Sequence, residues 1–308
     1  MKKDALTGTL GALVANGIFG FSYYFSKMAL ATGAHPLVIL SIRFTVAFLA
    51  MSLLALCRVI RLRPLARVSG GALGKLLAMA VMQPLLYFIF ELYALDNTST
   101  AVSGVVIGTV PAVVMLASAV LLHERPGRAQ AVFGLLSVAC IAGISLIGGH
   151  NGSTTPLGIL LLVGAVVTAA GFNLLSRSVA GEFTAIERTY AMFAVGAVGF
   201  DLLTPLVLRR QFLPALRFAV EQRAVWLAMI YLSLLSSIAA YMQYNHATGK
   251  IGLVRASAFS GVIPVVSMLS GIFLLGESLT PVQIALCAAV IGCIYAVNRL
   301  DPAAKKGT

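Results

Sequence analysis

Ten runs of roughly 20 predominantly apolar residues follow one another along the chain, with only short polar breaks between them. They lie near 5–26, 36–57, 75–94, 99–122, 129–148, 157–177, 186–208, 224–247, 253–275 and 281–299. A helix of about 20 residues is long enough to cross the ~30 Å hydrocarbon core of a bilayer. Hydrocarbon offers no partner to backbone polar groups, so a spanning segment must satisfy its own, which continuous apolar runs do as helices. The scarcity of charge points the same way. Charged residues are 10% of the 308, against 59% hydrophobic, whereas a soluble domain carries about 25% charged residues. The expected fold is an all-α membrane protein of ten transmembrane helices. The first run opens after Met1-Lys2-Lys3-Asp4. It is too long for a signal peptide and lacks a small-x-small cleavage site before a polar domain, so it is expected to be the first span.

The net charge is +12, but the basic residues sit in short clusters between the runs, where they set topology rather than bind nucleic acid. With the N-terminus inside, 16 Lys and Arg fall on inner segments and 5 on outer ones. Both termini are therefore expected in the cytoplasm. The loop after the seventh span opposes the trend with Arg209, Arg210, Arg217 and Arg223. Cys57, Cys140, Cys287 and Cys293 form no CxxC pair and are expected to be ordinary apolar helix residues.

The chain also repeats itself. Gly108-Thr-Val-Pro111-Ala-Val-Val-Met-Leu116 matches Gly261-Val-Ile-Pro264-Val-Val-Ser-Met-Leu269, an offset of 153 that then pairs Leu122 with Leu275, Glu124 with Glu277, Gln130 with Gln283 and Ile141 with Ile294 without a gap. The earlier parts align more weakly at an offset of 150, pairing Gly8 with Gly158, Ser26 with Ser176 and Lys27 with Arg177. The expected units are 1–149 and 156–300, followed by a cytoplasmic tail, 301–308. Five spans per unit is an odd number, so the second unit enters the membrane from the opposite side. Such inverted duplication is a transporter architecture that places the substrate site near the bilayer midplane.

The pattern of a mid-span Pro, a Glu in the following turn and a Gln opening the next helix occurs at Pro111, Glu124 and Gln130, and again at Pro264, Glu277 and Gln283. In this the chain resembles the drug/metabolite transporter superfamily, in its branch of bacterial EamA-type ten-span permeases, over about its whole length. The resemblance implies a multi-pass protein of the bacterial cytoplasmic (inner) membrane that exports amino acids or related metabolites.

Polar residues inside the spans carry the functional expectation, because an ionisable group at mid-bilayer costs about 2.5–3.5 kcal/mol on insertion scales. Gln83, Tyr87 and Glu91 fall at i, i+4 and i+8 in the third span, on one helical face. Ser233, Ser237, Tyr241 and Tyr244 form a similar stripe in the eighth. The repeat offset pairs Gln83 with Ser236 and Glu91 with Tyr244. Both stripes are expected to face a central cavity, or else to join helices by hydrogen bonds. Glu91 would hold a substrate ammonium or carry a proton, unless it merely reaches the interface. Asn16, Tyr23, Thr168 and Asn173 offer further polar groups in the first and sixth spans, and the offset pairs Tyr23 with Asn173. The expected substrate-binding set is Asn16, Tyr23, Gln83, Tyr87, Glu91, Asn173, Ser237, Tyr241 and Tyr244. Arg43 is expected mainly to snorkel or to pair with a carboxylate, with a substrate carboxylate as the alternative. Asp201 would pair with Arg188 or an outer arginine. Pro111 and Pro264, near the centres of their spans, would kink them symmetrically as hinges. Glu124 and Glu277 would stabilise the positive end of the helix that follows each.

No catalytic motif is visible: there is no HExxH, no GxSxG and no Gly-rich phosphate loop, and His35, His123, His150 and His246 are not grouped at ligand spacing. Neither enzyme chemistry, nor a cofactor, nor a metal is expected. The expected partners are a small-molecule substrate, an amino acid or related metabolite, and the bilayer, with no nucleic acid; a monomer is one expectation, and the oligomeric state stays open. Two other readings stay open: efflux of cationic drugs through Glu91 and aromatic rings, and a passive channel.

Overall fold

The computed structural model describes residues 2–63, 69–121, 127–148, 154–251 and 258–299. Among them there is no strand. The spans are α1 (Lys2–Leu30), α2 (Pro36–Leu56), α3 (Gly70–Asp96), α4a (Thr100–Ile107) with α4b (Val110–Leu121), α5 (Arg128–Gly148), α6 (Pro156–Ser178) and α7 (Ala185–Leu208). The segments Arg223–Met229, Ile230–Ala239 and Ala240–Ile251 run on as α8, Val262–Leu274 is α9 and Pro281–Arg299 is α10. Six helical stretches are long and apolar enough to cross a membrane by themselves, while Arg128–Ile144, Phe259–Leu275 and Pro281–Val297 are shorter apolar stretches. Together these helices form ten transmembrane spans in two inverted repeats of five. The tail 301–308 and Glu124 lie outside the described residues.

The starts of the helices follow from local chemistry. Pro36, Pro156 and Pro281 open α2, α6 and α10, where a missing N–H costs nothing. Ser69, Ser99 and Thr155 each accept a backbone N–H as N-caps of α3, α4a and α6. Thr184 and Glu187 form a reciprocal capping box on α7. Thr280 and Gln283 do the same on α10, which gives the Gln of the repeated pattern a structural role.

The helix contacts carry the duplication. The repeat exchanges α1 with α6, α2 with α7, α3 with α8, α4 with α9 and α5 with α10. The pairs α2–α7, α4a–α9 and α5–α10 pack together and map onto themselves, while α1–α8 and α1–α9 are matched by α3–α6 and α4b–α6. Apolar side chains such as Leu160, Leu206 and Phe273 clothe the outside, as lipid requires. Lipid is as apolar as a helix surface, so helices associate through close packing rather than water exclusion. At the α4a–α9 crossing, a Cβ on Gly104 would overlap the Ser267 side chain. At the α1–α9 crossing, a Cβ on Gly20 would come within 2.8 Å of the Ile263 carbonyl.

The structure changes several expectations. The third span is not one regular helix. Pro84 follows Gln83, whose backbone is extended (φ −142°, ψ 117°) inside a widened turn, Val81–Leu86; a residue before proline is pushed out of the α region. The eighth span is widened likewise over Ile230–Ala239. Pro111 and Pro264 do not kink the middle of continuous helices. Pro111 is the second residue of α4b, after a turn at Gly108–Thr109, and Pro264 is the third residue of α9, after the 3-10 turn Ala258–Gly261. In a first turn, proline removes no helical hydrogen bond. The arginine-rich segment after α7 is not a loop but a turn, Arg209–Gln211, and a short surface helix, Phe212–Glu221. Arg217 pairs there with Glu221 beside exposed Leu213 and Phe218, the mixture of an interfacial helix. Asp201 pairs with no arginine among the described residues: its carboxylate accepts from Ser41 Oγ at 2.5 Å and Thr45 Oγ1 at 2.8 Å on α2.

Glu277 does not serve the helix after it, which the Thr280–Gln283 box already caps. Gly276, at φ +65°, turns the chain back after α9, a backbone shape open to glycine. The Glu277 carboxylate then accepts the Thr100 N–H at 2.6 Å and the Ala101 N–H at 3.0 Å. It thereby caps α4a, a helix of the other repeat. Beside it, Lys27 donates to the Leu95 and Thr98 carbonyls at 2.5 and 2.9 Å, a cation on the negative end of α3. At the opposite end of the bundle, Arg63 holds Glu187 through Nε at 2.9 Å and a second nitrogen at 3.0 Å, again joining the repeats.

Two outcomes are expected in thermal unfolding of the detergent-purified protein. Gly104→Ala loses about 1–3 kcal/mol by overpacking, and Ser267→Gly in the same chain restores most of it; no loss in the single variant would contradict the crossing. Glu277→Ala loses about 1–3 kcal/mol with its two charge-assisted bonds, and Glu277→Gln, which keeps one acceptor oxygen, loses less; equal losses would remove the cap from the explanation.

Candidate functional site

The breaks in α3, α4, α8 and α9 meet around one cavity of about 190 Å³. α3 supplies Gln83, Tyr87, Phe88 and Glu91, and α8 supplies Ser236, Ser237 and Tyr241. Ile107 comes from the end of α4a and Ile263 from the start of α9, each beside its break. α1 presents Phe19, Ser22, Tyr23 and Ser26 at i, i+3, i+4 and i+7, one helical face. α2 adds Arg43 and Phe44, and α7 adds Met192 and Phe193. α6, the counterpart of α1 in the repeat, contributes no lining residue, so the cavity is asymmetric although the scaffold is not.

Hydrogen bonds tie the lining to the scaffold. Tyr87 donates its hydroxyl to Glu91 Oε1 at 2.8 Å, the i to i+4 geometry expected of the stripe. Ser22 donates to Ser236 across the α1–α8 contact at 2.7 Å. Ser233 donates to the Arg43 carbonyl at 3.0 Å, fixing α8 against α2. Rings close the walls: Tyr241 stands edge-on to Phe19 at 5.1 Å and to Phe193 at 6.3 Å, while Phe44 meets Phe88 at 5.0 Å.

The cavity holds one acidic and one basic side chain. Glu91 is 8% exposed and Arg43 5%. Burial of this kind is costly and marks a site that needs its charge. Arg43 lies with its guanidinium carbon 4.4 Å from the Phe88 ring centre and 5.6 Å from that of Phe44. Such cation–π contacts contribute about 2 kcal/mol or more when desolvated.

Of the residues expected to bind substrate, the structure brings Tyr23, Gln83, Tyr87, Glu91, Ser237 and Tyr241 to one cavity. Gln83 arrives by its extended backbone rather than by the helical face that suggested it. Asn16, Asn173 and Tyr244 lie elsewhere. Asn16 is buried with its amide donating to the Ala12 carbonyl at 2.8 Å. Asn173 is exposed on α6 and donates to the Ala169 carbonyl at 2.7 Å. Tyr244 packs beside Ala12 and Ala247. Pairing Tyr23 with Asn173 fails because the cavity does not reach α6. Ser22, Ser26 and Ser236 were missed. The i, i+4 spacing of Ser22 with Ser26 beside Tyr23 was a readable signal, whereas Ser236 next to Ser237 becomes accessible only through the widened turns of α8. Arg43, expected mainly as a snorkelling or paired residue, does neither: it points into the cavity wall, and no described carboxylate pairs with it.

Comparison with known proteins identifies the scaffold. The model of the EamA-like transporter family matches residues 6–146 and 156–299, one copy per repeat. Over 99% of this chain and 97% of the other, the sequence is 30% identical to YcxC of Bacillus subtilis, an uncharacterized transporter. It is 28% identical to YedA of Escherichia coli K12, an uncharacterized inner membrane transporter, over 97% and 93% of the two chains. It is also 28% identical to a probable terminal-alkyne amino-acid exporter of Streptantibioticus cattleyicolor, over 64% and 63%. A solved crystal structure, 20% identical in sequence, superimposes with a TM-score of 0.60 over 95% of this chain and 97% of its own, which shows the fold alone. Two matched repeats, ten spans and a polar cavity between broken helices make this chain a membrane transporter that belongs to the EamA-like transporter family of the drug/metabolite transporter superfamily.

Proposed function

We propose that this chain is a secondary transporter that exports small neutral amino acids and similar polar metabolites across the cytoplasmic membrane by alternating access. The observation that carries this reading is the cavity: a small chamber lined by polar and aromatic side chains beside the irregular turns of four helices, where inverted-repeat transporters hold their substrates. The units 1–149 and 156–300 rock against one another about it, with both termini on the cytoplasmic side as the Lys and Arg distribution favours. The breaks beside Pro111 and Pro264 are the proposed hinges, because each is an irregular turn that leads into the helix carrying the proline. Tyr23, Gln83, Tyr87, Glu91, Ser237 and Tyr241 are the proposed substrate-binding set, with Glu91 taking the substrate ammonium. Asn16, Asn173 and Tyr244, which lie off the cavity, are left out of it. The relative named as an amino-acid exporter supports the substrate class, and the relative named as an inner membrane transporter supports the location.

A second reading, efflux of cationic drugs, draws on Glu91 and the surrounding rings. Two features weigh against it. The cavity of about 190 Å³ falls below the roughly 300–1,000 Å³ of drug-sized pockets, and Arg43 would repel a cation from the same chamber.

Counterflow in proteoliposomes separates these readings. Vesicles loaded with alanine, serine, valine or leucine are expected to take up the same labelled amino acid saturably. Glu91→Gln is expected to lower that exchange by about tenfold or more, some 1.4 kcal/mol of binding, while the protein still elutes as a monodisperse peak. Uptake of tetraphenylphosphonium without amino-acid exchange would favour the drug reading, non-saturable flux a channel, and undiminished exchange by the variant would remove Glu91 from the site.

A further inference from the structure

Arg43 is not accounted for by packing. A guanidinium carries five N–H donors, yet no acceptor among the described residues takes one from Arg43, and its buried Nε has no hydrogen-bond partner. The rings of Phe44 and Phe88 satisfy its charge through their faces but offer no lone pairs. Glu91 lines the same cavity but is not in ion-pair contact with it, and its Oε1 is occupied by the Tyr87 hydroxyl instead. The chamber therefore holds two opposite charges that face a shared space without neutralising each other directly. A cation would meet Glu91 and be repelled by Arg43, and a simple anion would meet the reverse. A molecule carrying both charges meets both.

We propose that Arg43 is the carboxylate anchor of the site, so that the cavity selects α-amino acids as zwitterions, with the carboxylate on Arg43 and the ammonium on Glu91. This rests on the cavity being the transport site. A planar guanidinium fork matches a carboxylate with two parallel hydrogen bonds, and the rings of Phe44 and Phe88 hold the fork flat for it. The volume of about 190 Å³ falls below that of drug-sized pockets, which suits a small amino acid. The remaining walls, Phe19, Ile107, Met192 and Ile263 among them, favour an uncharged side chain. Arg43 is thus a specificity-determining residue: it makes the free carboxylate obligatory.

The test uses the wild-type full-length protein first. Alanine, valine and leucine are each compared with their carboxamides, which keep the ammonium and lose the carboxylate charge, as competitors of amino-acid counterflow and as stabilisers of the detergent-purified protein against heat. The carboxamides are expected to compete about tenfold or more weakly and to stabilise correspondingly less. In Arg43→Gln the ratio of amide to acid is expected to fall to about one, and Arg43→Lys is expected to keep part of it. If Arg43→Gln does not fold, the wild-type ratio decides alone. Equal competition by acid and amide in the wild type would overturn the anchor and leave the transport reading standing. Stabilisation by amino acids but not amides, without any counterflow, would overturn transport and leave the anchor standing. Neither exchange nor stabilisation would overturn both.

Discussion

In hydrocarbon, every backbone N–H and C=O must find its partner inside the protein, and the placement of each irregular turn follows from that rule. A helix can depart from regular geometry only where neighbouring helices shelter the freed groups. In this chain the departures come in two related pairs. The widened turn Val81–Leu86 of α3 is answered by Ile230–Ala239 of α8, and the turn at Gly108–Thr109 before Pro111 is answered by Ala258–Gly261 before Pro264. All four adjoin the same cavity. The breaks that a spanning helix tolerates only in the protein interior thus create the polar interior in which a substrate can be held.

Charge is distributed by the same logic. At the end of the bundle carrying the 31–35 turn, Lys27 sits on the free carbonyls that close α3, and Glu277 sits on the free N–H groups that open α4a. Both are matched to the end of a helix, where the backbone leaves unsatisfied donors or acceptors. At the other end, Arg63 and Glu187 satisfy each other, with Arg63 60% exposed. Arg43 and Glu91 in the middle follow neither pattern. They are the two charges in the cavity, and they remain separate, unlike Arg63 and Glu187.

The architecture was legible because its signals are long. Ten apolar runs and an ungapped 153-residue offset survive any uncertainty of a few residues. The cavity was legible in part. Tyr87 and Glu91 obey helical spacing and were found by it. Gln83 was found for a reason that does not hold, since Pro84 takes its backbone out of the helix. Ser236 was paired with Gln83 by the repeat offset but fell outside the 3.6-residue stripe; it lines the cavity beside Ser237 in the widened turns of α8. Arg43 was undervalued because a spacing rule reads one helix at a time, whereas its lack of a partner depends on α3 and α8. Glu277 was assigned to the helix beside it in sequence, because nothing local reveals that α4a of the other repeat ends against it.

The two fastenings between repeats are unequal, and this bears on the proposed mechanism. Glu277 binds backbone N–H groups at the positive end of a helix, half-buried, where hydrogen bond and helix dipole act together. Arg63 holds a Glu187 that is 9% exposed through two nitrogens, but its own side chain is 60% exposed and leaves the pair open to water and salt on one side. Alternating access requires one end to part while the other stays closed. The Arg63–Glu187 pair has no counterpart at the 153-residue repeat offset, where Leu216 and Ala34 stand. The inverted repeats therefore provide a near-symmetric scaffold, while residues particular to one half break its symmetry: the Arg63–Glu187 ion pair at one end, and a cavity lined by α1 but not by α6. A transporter with a preferred resting state needs such asymmetry, because identical fastenings would leave its two end states equal in energy.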